Sequence, residues 1–212
     1  MIIDFYTLGL FAMSAAVLTL IPGADMLCAL SNAVNQGTKA GLTTVLGAVT
    51  GVVCHIALAI AGITALIASS PMLYGLFVVV GALYIMWVGF SLFFSDVSLS
   101  LERNKNINKS NNLYLKGFFT NLLNPKAIIF MLAFIPQFIR IDAGMPGVQM
   151  LILGIVLIVI MLLIEVPLVI FAGKIALKIQ LRPALGIYIN KAFGGIMLAL
   201  AAFILVERLF RE

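Results

Sequence analysis

The chain has 212 residues, 63% of them hydrophobic and only 10% charged, with a net charge of +5. Soluble domains carry roughly 45–50% apolar and about 25% charged residues, and a water-soluble fold of this length has too little interior to hide the excess. A soluble enzyme is therefore excluded, and so is a nucleic-acid binder. No basic stripe interleaved with aromatics occurs, and the basic residues gather in short polar loops, as they do at a cytoplasmic membrane face.

The N-terminus, Met1 to Asp4, has no basic flank, so the first apolar stretch reads as part of the mature protein and not as a cleaved signal. A helix needs about 20 apolar residues to cross a hydrocarbon core of roughly 30 Å. That criterion predicts six spans, at 5–34, 40–68, 71–94, 113–139, 148–173 and 187–207. Turn-forming clusters mark several joints: Asn35 to Lys39, Ser69-Ser70-Pro71, and Asp142 to Pro146. The longest polar stretch, Ser95 to Asn112, holds Glu102, Arg103, Lys105, Lys109 and an Asn-rich middle. It divides a single membrane domain (1–212) into a first three-helix repeat (1–94), a cytoplasmic loop (95–112) and a second three-helix repeat (113–212). A further polar segment, Lys174 to Lys191, separates spans five and six.

Basic residues set the expected orientation. Lys39, Arg103, Lys105, Lys109, Lys116, Lys174, Lys178, Arg182 and Lys191 belong to the odd-numbered loops, against Arg140, Arg208 and Arg211 on the other side. The bias places the odd loops in the cytoplasm and both termini outside.

With three spans on each side of the long loop, the second half enters the membrane from the opposite face. That is the inverted-repeat topology common among secondary transporters. The first span of each half carries a proline at mid-depth: Leu20-Ile21-Pro22-Gly23-Ala24-Asp25 in span one, Leu123-Asn124-Pro125-Lys126-Ala127 in span four. As one straight helix span one would run about 45 Å at 1.5 Å per residue, too long for the core, and a break near Pro22 removes the difficulty. Proline frees backbone groups that must then face protein or water. A half-helix beginning at such a break presents unpaired N–H groups and the positive end of its dipole. Asn124 and Pro125 have the chemistry of an N-cap and a first helical residue, and Lys126 adds a positive charge, so the joint suits a carboxylate. Asp25 follows Pro22-Gly23, where it is placed to receive an ammonium group or to pair with Lys126.

Two further polar residues lie in apolar spans. Glu165, in span five, shares a helical stripe with Gly154, Met161 and Ala172, so it is expected to face the interior as a proton or substrate-amine site, the alternative being a structural pair with a lysine. His55, the only histidine, shares a stripe with Gly47, Gly51 and Gly62 in span two; it is a helix–helix hydrogen-bonder or a proton relay. The Gly37/Gly41 and Gly47/Gly51 pairs report close packing. Cys28 and Cys54 lie in apolar stretches without a CxxC spacing and read as small packers. Asn108-Lys109-Ser110 matches a glycosylation sequon by chance, on the cytoplasmic side. No HExxH, GxSxG, P-loop or metal-ligand cluster occurs, so no catalytic residues, metal or cofactor are expected.

Several of these features, in order along almost the whole chain, resemble the lysine-exporter (LysE/RhtB) family of bacterial amino-acid efflux proteins. They are Pro22-Gly23, the glycine-rich second span, Gly81-Ala82-Leu83-Tyr84 with Gly89, Asn124-Pro125-Lys126-Ala127 through Phe130, Pro136-Gln137-Phe138, Asn190-Lys191 and Gly194-Gly195. His55 and Glu165 resemble the homoserine/threonine branch, and Ala24 departs from the family's Pro-Gly-Pro while leaving Pro22 in place. The resemblance implies proton-driven export of small neutral amino acids such as threonine, homoserine or leucine, or of derivatives, across the bacterial inner membrane. The partners are then the amino acid, protons and lipid, with a homodimer as the candidate assembly. Substrate would be held by Pro22, Gly23, Asp25, Asn124, Pro125, Lys126 and Glu165, and protons coupled through Glu165, Asp25 or His55. The rival expectations are a membrane thiol–disulfide electron carrier, which needs a cysteine in each half, and a channel or structural membrane protein.

Overall fold

The computed structural model describes residues 3–94, 112–175 and 183–211, and every regular element among them is a helix. Most of the long polar segment, with Arg103, Lys105, Lys109 and the Asn108 sequon, lies outside the described residues, as do Lys178 and Arg182.

Helix α1 (Phe5–Leu20) starts at Asp4, whose carboxylate accepts from the Thr7 backbone N–H at 2.7 Å and the Thr7 hydroxyl at 3.1 Å. This occupies a donor that the first helical turn leaves free. The helix stops at Ile21, which takes the extended conformation that a following proline imposes (φ −69°, ψ 115°). After Gly23 the chain resumes as α2 (Ala24–Gln36), bent 54° from α1. Gly37, at φ +93°, is the only residue between α2 and α3 (Thr38–Ser69). Its left-handed backbone lets its N–H close on the Ala33 carbonyl. Gly37 is thus a turn residue, not half of a packing motif, and the first joint is shorter than the predicted five-residue break.

Helix α4 (Pro71–Phe93) ends the first half. Helix α5 (Leu113–Leu122) is capped by the Asn112 side chain, and α6 (Pro125–Ile129) by Asn124, whose Oδ1 accepts from the Lys126 N–H at 3.0 Å. A five-residue π turn (Phe130–Phe134) and a short 3-10 turn (Ile135–Phe138) continue α6, and the whole is bent 58° from α5. Helices α7 (Pro146–Ile170) and α8 (Pro183–Arg211) complete the order, with α8 starting inside the predicted polar segment.

Helices α3, α4 and α7 are each long and apolar enough to cross a membrane, and counting each bent pair as one span gives five. Helix α8 adds a shorter apolar stretch, Lys191–Phe203. Leu58, Val80, Trp87 and Leu163 stand exposed around the outside, where lipid solvates them. The chain is a multi-pass helical membrane protein.

Two glycine crossings set the bundle. A Cβ on Gly47 would run into the Tyr114 carbonyl of α5, and one on Gly117 into the Thr44 carbonyl of α3. Helices α4 and α8 meet in the same way at Gly89 and Gly194. Gly62, expected on the packing stripe, faces open space.

At the end of the bundle holding Asp4, Arg140 bridges Asp4 (3.1 Å) and Asp142 (2.7 Å). The fully buried Gln149 fixes that loop by bonding both the N–H and the carbonyl of Arg140 and the Gly144 carbonyl. Beneath the clasp, Phe11, Phe134 and Phe138 pack ring against ring at 4.9–5.6 Å. The Thr7 amide, then the Thr7 hydroxyl, and Arg140 hold the Asp4 carboxyl below its ordinary value of 3.8. Arg140 does the same to Asp142, and both acids push Arg140 up. Acids lowered in the folded state contribute above their ordinary value and lose that contribution as pH falls through the lowered one. The clasp is therefore expected to be unchanged between pH 7 and 5 and to open only below the ordinary carboxyl range. Because its members are exposed, high salt should weaken it at any pH. Melting curves of wild type and Arg140→Gln across pH and salt check this; a difference that grows with salt would contradict it.

Candidate functional site

The two bends meet. Between them and α7 lies a cavity of about 520 Å³ including its mouth, lined by residues of α1, α2, α3, α5, α6 and α7. Leu18, Met26, Val52, Phe130 and Leu157 make most of its wall apolar, while Asp25, Asn121, Asn124, Lys126 and Glu165 bring polar groups to it.

Asp25 is held by two amides. Asn121 Nδ2 donates to its Oδ2 at 2.6 Å, and Asn124 Nδ2 to its Oδ1 at 3.2 Å. Asn124 therefore works in both directions, capping α6 with its oxygen and holding Asp25 with its nitrogen. Gly23 must stay small, since a Cβ there would lie 2.7 Å from Asp25 Oδ1 and 3.3 Å from Asn124 Nδ2.

Lys126 points the other way along the joint. Its Nζ donates to the Leu18 carbonyl at 3.0 Å and to the Ile21 carbonyl. These are among the last carbonyls of α1, which no helical N–H can satisfy and where the dipole is negative. The lysine of the second bend thereby caps the first, and among the described residues no Asp25–Lys126 ion pair forms. Glu165, one turn beyond Met161 on α7, is 4% exposed and lines the opposite wall. Its Oε2 is buried without a hydrogen-bond partner. Gly154, Met161, Glu165 and Ala172 all lie on the buried face of the fifth predicted span.

Of the residues read from sequence, Gly23, Asp25, Asn124, Lys126 and Glu165 line the cavity, and Pro22 and Pro125 stand at the bends beside it. His55 does not line it. The imidazole Nε2 lies 3.3 Å from the Asn121 backbone carbonyl, so His55 holds the end of α5, next to the amide that holds Asp25. Asn121 was missed by sequence reasoning. Its signal is the Asn121-Leu-Leu-Asn124 run, which sets two amides close together at the break between α5 and α6 in an otherwise apolar span. The role of the α1 carbonyls carries no side-chain signal at all. Cys28 and Cys54 are free thiols on different helices, and the described residues contain no group of acids, histidines and cysteines suited to a metal.

A multi-pass helical bundle with a charged cavity at the joint of bent helices has the architecture of a membrane transport protein. Residues 16–208 match the family described as LysE type translocator, and the chain belongs to that family. It is 30% identical to an uncharacterized membrane protein of Vibrio cholerae, over 92% of this chain and 94% of that one. It is 28% identical to a homoserine/homoserine lactone efflux protein of Salmonella typhimurium, over 93% of this chain and 95% of that one. It is also 30% identical to a leucine efflux protein of an Enterobacter species, over 72% of each chain. No solved structure matches it significantly.

Proposed function

We propose that the chain exports small neutral amino acids such as threonine, homoserine or leucine, or their derivatives, from the bacterial cytoplasm, driven by the proton gradient. The observation that carries this reading is the cavity itself. Two acids, one base and two amides converge from four elements of a chain that is otherwise 63% hydrophobic, on a wall that is apolar elsewhere. An amino acid needs a cation for its carboxylate, an anion for its ammonium and an apolar surface for its side chain. Among the described residues Lys126 is the sole basic one lining the cavity, and it takes the carboxylate, leaving the α1 carbonyls to do so. Glu165, with a buried oxygen free, takes the ammonium from the opposite wall. Asp25, held by one amide on each oxygen, keeps the joint in register. The efflux proteins among its relatives support the substrate class.

In this reading six spans form a 3+3 inverted repeat within one transport domain (1–212), the halves being 1–94 and 113–212 with a cytoplasmic loop at 95–112. The bends of 54° and 58° at the first span of each half support it, as does the glycine crossing of α4 with α8, the last helix of each half. The basic loops face the cytoplasm and the termini the periplasm of an inner membrane. A proton entering at Glu165 displaces the substrate ammonium from the same carboxylate, which is the competition an antiporter requires. One charge crossing 100 mV is worth about 2.3 kcal/mol, enough for a gradient of about 50-fold.

The test is efflux of radiolabelled amino acids, leucine and homoserine included, from energised cells with and without a protonophore. Efflux of one or a few that stops with the protonophore is expected. A membrane-inserted chain that moves none of a broad panel would sink the reading.

A further inference from the structure

Resting on that export reading, we infer that the seam between α2 and α5 is the cytoplasmic passage to the cavity, and that Lys116 first takes the substrate carboxylate there. The two helices run antiparallel, each from a predicted cytoplasmic loop to the cavity. Helix α2 begins at the cavity with Asp25 and ends at Gln36, while α5 begins beyond the long polar segment and reaches the cavity with Asn121.

Their facing sides are polar in an otherwise apolar chain. Asp25, Cys28 and Asn32 on α2 are spaced three and four apart, on one face, and Lys116, Thr120 and Asn121 answer them on α5. Three rungs join the faces. Asn121 bonds Asp25 at 2.6 Å, Thr120 reaches the Cys28 sulfur at 4.0 Å, and Lys116 Nζ donates to Asn32 Oδ1 at 3.3 Å. Behind the last rung, Asn32 Nδ2 donates to the Thr44 hydroxyl at 2.9 Å, and both side chains are buried. Seven residues of helix from Asp25 to Asn32 span about 10 Å, so the ladder covers the depth between cavity and loop face.

A ladder of this kind does more than join helices, because its outermost rung pairs a full cation with a neutral amide. Among the described residues Lys116 makes no ion pair, although it stands exposed at the mouth. A carboxylate arriving from the cytoplasm is a better acceptor for that ammonium than Asn32 Oδ1, since it sets a full negative charge against the cation where the amide offers only a dipole. Its arrival releases Asn32, and each rung further in offers donors and acceptors in place of the water the zwitterion loses.

Cys28, in the middle of the ladder, reports on the passage. In a Cys54→Ala background of the full chain, a membrane-impermeant thiol reagent applied to the cytoplasmic face of everted vesicles is expected to label Cys28 and block transport. Saturating L-leucine or L-homoserine, whichever the wild type moves, should slow the labelling. In parallel, Lys116→Gln should raise KM for cytoplasmic substrate about tenfold with kcat nearly unchanged, and Lys116→Arg should restore it. Glutamine retains a donor for Asn32, so a purely structural Lys116 would leave KM at the wild-type value, and that result overturns the capture role. Normal transport with Cys28 inert, or labelled at a rate indifferent to substrate, overturns the passage alone. A wild type that moves neither amino acid overturns the export reading and the passage with it.

Discussion

Methionine in place of Lys126 is expected to cut efflux by about 10- to 100-fold while the chain still inserts in the membrane. The side chain keeps its length and loses its charge. The proposed carboxylate contact is of the charge-assisted kind, worth about 1.5–3 kcal/mol, and every 1.4 kcal/mol is tenfold in affinity. The Leu18 and Ile21 carbonyls, which Lys126 now satisfies, are left without their donor at the end of α1. Buried unsatisfied acceptors cost about 1–3 kcal/mol each, so the joint between α1 and α6 should loosen as well. Glu165→Gln provides the contrast. It preserves shape at a site whose free oxygen makes no bond to protein, so the fold should not suffer. What it removes is the charge for which proton and ammonium compete. Reconstituted Glu165→Gln should still exchange substrate, with KM raised by the lost ammonium contact, and lose acceleration by an imposed pH gradient, whereas Lys126→Met should be poor at both. Wild-type rates in Lys126→Met would remove that residue from the site, and an intact pH response in Glu165→Gln would remove proton coupling from that carboxylate.

The parts of this architecture that sequence reveals are those written in side-chain identity and spacing. Span-length apolar runs mark six stretches, and the structure has helices in each, because a single segment can satisfy its own backbone groups in lipid only as a helix. Asn124-Pro125-Lys126 announced an N-cap and a helix start, and the structure begins α6 there. Glu165 announced an interior face, since a carboxyl group cannot be left in hydrocarbon. The direction of Lys126 was not legible. Its partners are two main-chain carbonyls, and every residue has one, so no residue type marks them. The π and 3-10 turns from Phe130 to Phe138 were hidden for a related reason: the sequence there is apolar throughout, and hydrophobicity does not distinguish one helical winding from another. His55 shows the remaining gap. Periodicity gave its helix face correctly, but whether it meets the cavity or the end of α5 depends on how two helices cross, and that is fixed by Gly47 and Gly117.

That crossing makes Gly117→Leu a severely damaging change in the bundle. A Cβ at residue 117 has the Thr44 carbonyl carbon 2.8 Å away and its oxygen nearer still, and across the crossing a Cβ on Gly47 would have Phe118 N at 2.8 Å. Neither obstacle is the end of a side chain that a rotamer change removes. Both are backbone, so α3 and α5 must separate along their length. In lipid, helix association depends on close contact of this kind, because apolar side chains gain nothing by leaving lipid for protein. Separation would also stretch the bonds that tie α5 to its neighbours: His55 to the Asn121 carbonyl, Asn121 to Asp25, and Lys116 to Asn32. Overpacking typically costs about 1–3 kcal/mol and more where the backbone must move. Gly117→Ala should therefore lower the melting temperature in detergent by about 5–10 °C. Gly117→Leu should yield no monodisperse protein and no transport. The control is Gly62→Ala, on the same α3 helix but facing open space, which should be neutral or slightly stabilising because alanine is the better helix former. Equal behaviour of the Gly62 and Gly117 variants would mean that the α3–α5 crossing does not position the site. A Gly117→Ala chain that melts early yet transports normally would mean that it stabilises the bundle without positioning Asn121.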